Sequence, residues 1–307
     1  MPELPEVETI RRQLQDELRD RAITDVGVVD ARICEPLSPA EVSGALSGRR
    51  IAALSRRGKY LLFELDDDSS FAIHLRMTGN LLLAPTVDQL DSLEGLVPGD
   101  ARLYEPSTDL SHLRLSLALD DGSTLLFVDV RRFGTLDLFP TPDAAEAYLS
   151  ARLGLEPLSG DLTGPALRDL ADGRTAPLKS FLLDQGRVAG IGNIYADEAL
   201  HRAALHPLSP AGSMKPEHCD ALAVGIVEAL EAGLEAGGAS IDDYRDARGE
   251  RGSMQDEFLV HTREGEECPR CGDEIARIVV AGRSTYYCPS CQKRLRRKRR
   301  RPARRAT

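Results

Sequence analysis

Val7, Ile10, Leu14 and Leu18 recur at helical spacing directly after Met1-Pro2-Glu3-Leu4-Pro5-Glu6, which predicts an amphipathic helix starting near Pro5. Beyond it the pattern shortens to runs of β-branched and aliphatic residues: Ile23 to Asp30, Ile51 to Ser55, Tyr60 to Leu65, Phe71 to Leu75, Leu81 to Leu83, Leu113 to Leu119, Leu125 to Val130 and Leu136 to Phe139. Turn signals such as Asp66-Asp67-Asp68 and Asp120-Asp121-Gly122 separate several of them. The runs predict an antiparallel β-sandwich, with one short helix begun by Ser38-Pro39. The acidic segment Pro85 to Ser111 follows neither period and is expected to form a long surface loop. After Phe139-Pro140-Thr141-Pro142 helical periods take over, at Ala166 to Leu170, Leu178 to Asp184, Ile194 to Ala203 and Pro216 to Glu235. The expected fold is α+β and multidomain.

Length and composition refine this picture. A chain of 307 residues holds two or three domains. No run approaches the ~18 consecutive apolar residues of a membrane span, and the start lacks the flanks of a signal peptide, so a cytoplasmic protein with no membrane partner is expected. The net charge of -10 argues against nucleic-acid binding until it is divided along the chain. Lys293 to Thr307 carry ten Lys or Arg and no acid, leaving 29 basic against 49 acidic residues elsewhere. Such a tail is expected to be disordered and to contact nucleic acid nonspecifically, or simply to solubilise. The acidic remainder fits a salt-rich cytoplasm.

Four of the six cysteines form two CxxC pairs, Cys268/Cys271 and Cys288/Cys291, separated by sixteen residues. That is the spacing of a four-thiolate zinc ribbon binding one structural Zn²⁺. The intervening Ile275 to Val280 and Thr285 to Tyr287 can pair as a hairpin, with Arg283 in its tip Ala281-Gly282-Arg283-Ser284. Arg283 there is either a phosphate contact or a solvated turn residue. At the other end, removal of Met1 would expose Pro2 as a secondary amine beside Glu3 and Glu6, able to form a cationic iminium with an aldehyde carbon. Plain helix capping accounts for the same residues. Gly190-Ile191-Gly192-Asn193 joins two helices, with Asn193 as the expected N-cap; it reads as a phosphate cradle or as a tight turn. Arg131-Arg132-Phe133 ends a strand as a possible base-stack wedge, or as one buried ring with solvated arginines. Lys59, after Arg57-Gly58, could meet a phosphate or water.

Six motifs in order, MPELPEVET, RRGKYLL, HLRMTG, DVRRFGT, GIGNIYADEAL and the ribbon with AGRSTYYC, resemble the bacterial formamidopyrimidine-DNA glycosylase family, relatives of endonuclease VIII, across essentially the whole chain. Leu4 favours the formamidopyrimidine branch. The resemblance implies a catalytic β-sandwich domain over 1–140, a helix-two-turn-helix DNA-binding domain with a lesion-covering loop over 141–262, a zinc ribbon over 263–292 and a tail over 293–307. It implies a monomeric glycosylase and AP lyase that binds double-stranded DNA between its halves, flips an oxidised purine out of the stack, and forms a Schiff base through Pro2 before β- and δ-elimination. Glu3 would donate the proton for base loss, Glu6 support it, Lys59 serve β-elimination, and Arg283 stabilise charge in δ-elimination. Met77, Arg131 and Phe133 would fill the vacated space, with Arg131 facing the orphaned cytosine. His74, His112, Arg132, Arg174, Asn193 and Tyr195 would make further DNA contacts. Ser240, Tyr244, Ser253, Met254 and Gln255 would belong to the lesion loop, where Met254 replaces the family's usual aromatic residue and could pack on a base. The family often has a second histidine where this chain has Leu110. An endonuclease VIII-like enzyme for oxidised pyrimidines, and a catalytically idle zinc-ribbon DNA-binding protein, are the other readings.

Overall fold

The structure is a computed structural model that describes residues 2–84, 110–241 and 243–295. Met1, nearly all of the expected Pro85 to Ser111 loop and the tail beyond Leu295 lie outside the described residues. The chain divides into two compact units: the residues up to Leu153 with Leu230–Glu257, and Gly154–Ala229 with the described residues from Phe258 onward. No helix among the described residues is long and apolar enough to cross a membrane.

The first unit begins with α1 (Leu4–Leu18), capped by Glu3. Leu4, not Pro5, takes the first helical position, because Glu6 reaches back to accept the Glu3 N–H at 2.8 Å and closes the turn one residue early. Leu4, Val7, Ile10, Leu14 and Leu18 are buried along one face. Two antiparallel four-stranded sheets follow. One runs in the order β1 (Ile23–Val28), β6 (Leu113–Leu119), β7 (Thr124–Asp129), β5 (Gly79–Ala84). The other runs β2 (Ile51–Arg57), β3 (Tyr60–Leu65), β4 (Ser70–His74), β8 (Thr135–Phe139). Their facing residues make one core, in which Ile23, Leu115, Leu117, Leu125 and Phe127 meet Leu61, Phe63, Phe71, Ile73 and Leu136. The Phe63 and Phe71 rings stack at 4.4 Å. The helix predicted from Ser38-Pro39 is α2 (Pro39–Leu46), where Ser38 and Glu41 form a reciprocal cap. A further helix, α3 (Pro142–Ser150), is capped by Thr141.

In the second unit, α4 (Gly164–Ala171), α5 (Leu178–Leu183), α6 (Asn193–Arg202) and α7 (Pro216–Glu235) follow in order, and the division between the units falls inside α7. The ribbon hairpin pairs β9 (Ala276–Val280) with β10 (Arg283–Tyr287). Ala281 and Gly282 both have positive φ, so the turn needs only those two residues. Arg283 is therefore the first residue of β10, opposite Val280, and not part of the tip.

Candidate functional site

The start of α1 is built around buried carboxylates. Pro2 is buried, and Glu3 and Glu6 are each 1% exposed. Glu6 spends one oxygen on the Glu3 N–H and the other on the Ala239 N–H at 2.7 Å. The segment after α7 is thus tied to the beginning of the chain. Gly238 makes this approach possible: its φ is +90°, and a Cβ there would stand 2.9 Å from the Glu6 Cγ and from the Tyr244 ring. The Tyr244 hydroxyl donates to the Gly237 carbonyl at 3.2 Å.

The same segment is bolted down at further points. The buried Asn80 on β5 accepts the Arg245 N–H (2.8 Å) and donates to the Asp243 carbonyl (3.0 Å). Gln13 on α1 accepts the Ala247 N–H (2.9 Å) and donates to Asp246 (2.7 Å). Within the segment, the Ser240 N–H donates to the Gln255 side-chain oxygen, and the Ser240 hydroxyl donates to the Tyr244 carbonyl. Gln255 in turn donates to the Gly252 carbonyl, and Ser253 is exposed. Met254 is fully buried, so its thioether fills the interior instead of a surface where a base could stack. Ser240, Tyr244 and Gln255 use their polar atoms to shape the segment.

Lys59 stands in the two-residue turn between β2 and β3 and is 5% exposed. The expected strand run ends at Ser55, but β2 continues to Arg57 and leaves only Gly58 and Lys59 unpaired in the ladder. Across the sheet Tyr60 pairs with His74, their rings edge-on at 4.6 Å. The His74 Nδ1 accepts the Arg76 N–H at 2.9 Å, which leaves the proton on Nε2. Burial, together with the nearby Arg76 and Lys59 charges, pushes the His74 pKa down to about 3. His74 is a neutral donor at physiological pH.

Met77 and Phe133 project from the first unit, 39% and 50% exposed. Between them lies a residue that sequence reading passed over. Asp129, fully buried at the end of β7, accepts N–H bonds from Arg131 (3.2 Å), Phe133 (2.8 Å) and Gly134 (2.8 Å). It also accepts the hydroxyl of Thr78, whose oxygen in turn receives the Arg131 N–H at 3.2 Å. One carboxylate therefore fixes the Arg131–Phe133 turn and ties it to the residue after Met77. Arg132 takes φ +59° and reaches Asp30 at 3.5 Å, while the Arg131 guanidinium lies 4.9 Å from the Phe133 ring centre. His112 is half-buried and its Nδ1 meets the Arg114 guanidinium at 3.3 Å. Arg114 also donates to the Asp129 carbonyl at 2.9 Å. Thr78 and Asp129 stand in the motifs and Asn80 directly follows one, but the bonds that join them to other segments span 51 residues from Thr78 to Asp129 and 165 from Asn80 to Arg245, so no local signal marks those links.

In the second unit Gly192, not Asn193, caps α6, and Asn193 is its first residue. The Asn193 side chain is thereby freed from capping and donates to the Ser284 carbonyl at 3.1 Å, beside Arg283. The two expected phosphate contacts thus stand next to each other. Lys179, fully buried, holds the Asn193 carbonyl at 2.8 Å and pairs with Asp197, whose other oxygen meets His261 Nδ1 at 2.9 Å. The next residue, Glu198, accepts the backbone N–H groups of Leu259, Val260 and His261. Neighbouring acids on α6 so anchor the strand of chain that enters the ribbon. Tyr195 is 1% exposed and packs in the interior; Arg174 is exposed in the connection after α4.

The four cysteine sulfurs, Cys268, Cys271, Cys288 and Cys291, lie within 4.8 Å of one another. Tetrahedral zinc with bonds of ~2.3 Å requires sulfur separations of about 3.8 Å. Cys268 and Cys291 are 3.9 Å apart and Cys271 and Cys288 3.4 Å, so the donor set fits Zn²⁺. His201 Nε2 approaches Cys268 Sγ at 3.4 Å, the kind of outer hydrogen bond that orients a thiolate ligand.

Family models match in chain order: the formamidopyrimidine-DNA glycosylase N-terminal domain over residues 1–136, its H2TH domain over 153–245, and the zinc finger found in FPG and IleRS over 265–294. The chain is 43% identical to a formamidopyrimidine-DNA glycosylase of Chloroflexus aurantiacus, over 95% of this chain and 98% of that one. It is 42% identical to one of Gluconobacter oxydans, over 95% and 100%. Wild-type Lactococcus lactis Fpg in complex with DNA containing N7-benzyl-Fapy-dG matches with a TM-score of 0.82 at 36% identity, covering 95% of this chain and all of the other. The complex of the same Fpg with DNA containing an abasic site matches equally well. With all three domains in order and relatives matching nearly end to end, the chain belongs to the formamidopyrimidine-DNA glycosylase family.

Proposed function

We infer that the chain is a DNA glycosylase and AP lyase of base excision repair, acting on oxidised purines, 8-oxoguanine and formamidopyrimidines, in double-stranded DNA. The observation that carries this reading is the start of α1, where Pro2 precedes two buried carboxylates, Glu3 and Glu6, and Glu6 is fixed by backbone N–H donors from Glu3 and Ala239. Binding alone has no use for a secondary amine held there. The L. lactis relative was captured with DNA carrying a Fapy-dG derivative and with abasic-site DNA, the substrate and the intermediate of such an enzyme.

With Met1 removed, the Pro2 nitrogen attacks C1′ of the flipped nucleotide as Glu3 gives a proton to the leaving base. The C1′–O4′ bond then opens, O4′ taking a proton, to give the iminium. Loss of a C2′ proton feeds electrons through it to expel the 3′ phosphate by β-elimination with Lys59 in attendance, and loss of a C4′ proton expels the 5′ phosphate by δ-elimination, where Arg283 stabilises charge. Neutral His74, Asn193, Arg174 and Arg283 bind phosphates, and Arg132 and His112 contact the backbone near the wedge. Met77, Arg131 and Phe133 enter the vacated stack. Zinc, with all four positions held by cysteine sulfur, supplies structure to the ribbon. The enzyme works as a monomer in the cytoplasm, on the nucleoid.

Borohydride trapping tests this. The protein is incubated with duplexes carrying 8-oxoguanine opposite cytosine, or an oxidised pyrimidine. A covalent adduct that forms faster on the purine duplex and disappears in Pro2→Gly is expected. Tight binding without an adduct on either duplex would overturn the enzymatic reading, and a faster pyrimidine reaction would move the substrate class. N-terminal mass analysis should find Pro2 first.

A further inference from the structure

We propose that Glu8 and Arg56 are positioning residues for Lys59, joining α1 to the turn that carries this lysine. The proposal rests on the reading of Lys59 given above. Glu8 lies on α1 with its side chain 10% exposed, and its carboxylate is surrounded by arginines. Arg11 donates to both oxygens (2.8 and 3.0 Å) and Arg12 to one (2.9 Å). Both belong to α1 itself and would neutralise the charge without help. The remaining donor, the Arg56 Nε at 2.9 Å, comes from β2, and its side chain is 7% exposed. From there Arg56 extends Nη1 to the Gly58 carbonyl at 2.9 Å.

That carbonyl belongs to the peptide between Gly58 and Lys59, the central peptide of the two-residue turn. Gly58 has φ +57° and Lys59 is absent from the positive-φ residues, the signature of a type II′ turn. The alternative type I′ turn differs by a flip of this same peptide, which would reverse the Gly58 carbonyl and the Lys59 N–H and force Lys59 into the positive-φ region that a lysine rarely adopts. A hydrogen bond to the Gly58 carbonyl opposes the flip. The path Glu8, Arg56, Gly58, Lys59 thus runs from the helix whose N-terminus carries Pro2 and Glu3 to the backbone that orients Lys59. A single guanidinium can span both contacts because its donors point in different directions; an ammonium has no such fork.

A double-mutant cycle tests this on the full-length, zinc-loaded protein, reading single-turnover cutting of a duplex with 8-oxoguanine opposite cytosine. Arg56→Lys keeps the charge beside Glu8 and removes the fork. It should slow cutting roughly five- to twenty-fold in the native background and less than about two-fold in the Lys59→Ala background. Equal losses in both backgrounds would overturn the positioning role, since damage unrelated to Lys59 multiplies. If Arg56→Lys does not fold, Glu8→Gln, which keeps the shape and drops the charge, is read in the same cycle with the same criteria. Failure of the unaltered protein to cut would count against the proposed enzymatic function, whereas an active protein with additive losses counts against the relay alone.

Discussion

A buried imidazole beside a lysine makes folding sensitive to acid. The folded His74 holds no extra proton until about pH 3, whereas the unfolded residue takes one up near its ordinary 6.5. Between these values the unfolded chain binds more protons, so stability falls as pH drops from 6.5 toward 3, by up to ~1.4 kcal/mol per pH unit. Glu8 acts in the same direction at lower pH. Burial alone would raise its pKa, but the hydrogen bonds from Arg11, Arg12 and Arg56 hold it at about 2. Its contribution is full above 4.5 and fades as pH falls toward 2. In His74→Gln, whose amide oxygen can still accept the Arg76 N–H, urea midpoints should change less between pH 6 and 4.5 than in the native protein. An unchanged slope would show that another group takes up the proton. At this scale sequence identified chemistry better than geometry. Lys59 and His74 stood out as basic residues in recognisable motifs, but that one sits in a II′ turn and the other is neutral follows only from strands brought together by folding.

Among the elements, boundaries decided what the motifs could do. Asn193 looked like a cap because it directly precedes the helical period that begins at Ile194; Gly192 takes the cap, and the asparagine amide turns to Ser284. Arg283 moved from a turn to a strand for the converse reason, since two positive φ values shorten the turn. The eight strands themselves were legible, because their buried residues form long apolar runs that burial selects directly. The segment after α7 was not. Its hold on α1 depends on Gly238, which local sequence shows only as half of a glycine pair. Gly238→Ala adds a Cβ 2.9 Å from Glu6 Cγ in a left-handed conformation that costs alanine roughly 1–2 kcal/mol. Amide exchange at Ala239 should accelerate in this variant, and the thermal midpoint should fall. Unchanged protection at Ala239 would show that the segment is held without the Glu6 contact.

For the whole molecule, zinc has an influence beyond its own hairpin. Bonds from α6 and its surroundings reach into the ribbon, from His201 to Cys268, from Asn193 to Ser284 and between Gln292 and the Leu205 carbonyl. Chelation should release one zinc per chain and, by loosening β9 and β10, weaken binding to a lesion duplex by roughly tenfold or more, with a shallower salt dependence as phosphate contacts are lost. Fluorescence anisotropy across a salt series measures both. Full affinity after zinc release would show that Asn193 and Arg283 do not grip together.

Asp129 has a consequence for how such an enzyme finds damage. A repair protein meets vast numbers of sound base pairs for each altered one, and whatever it must reorganise at each trial lengthens the search. The Arg131–Phe133 turn is already closed by four hydrogen bonds to one carboxylate before any DNA arrives. In the wedge role proposed above the turn would enter preshaped, so the toll at each site would be the unstacking of the base pair itself, and a weakened pair would be felt as a difference in that toll alone.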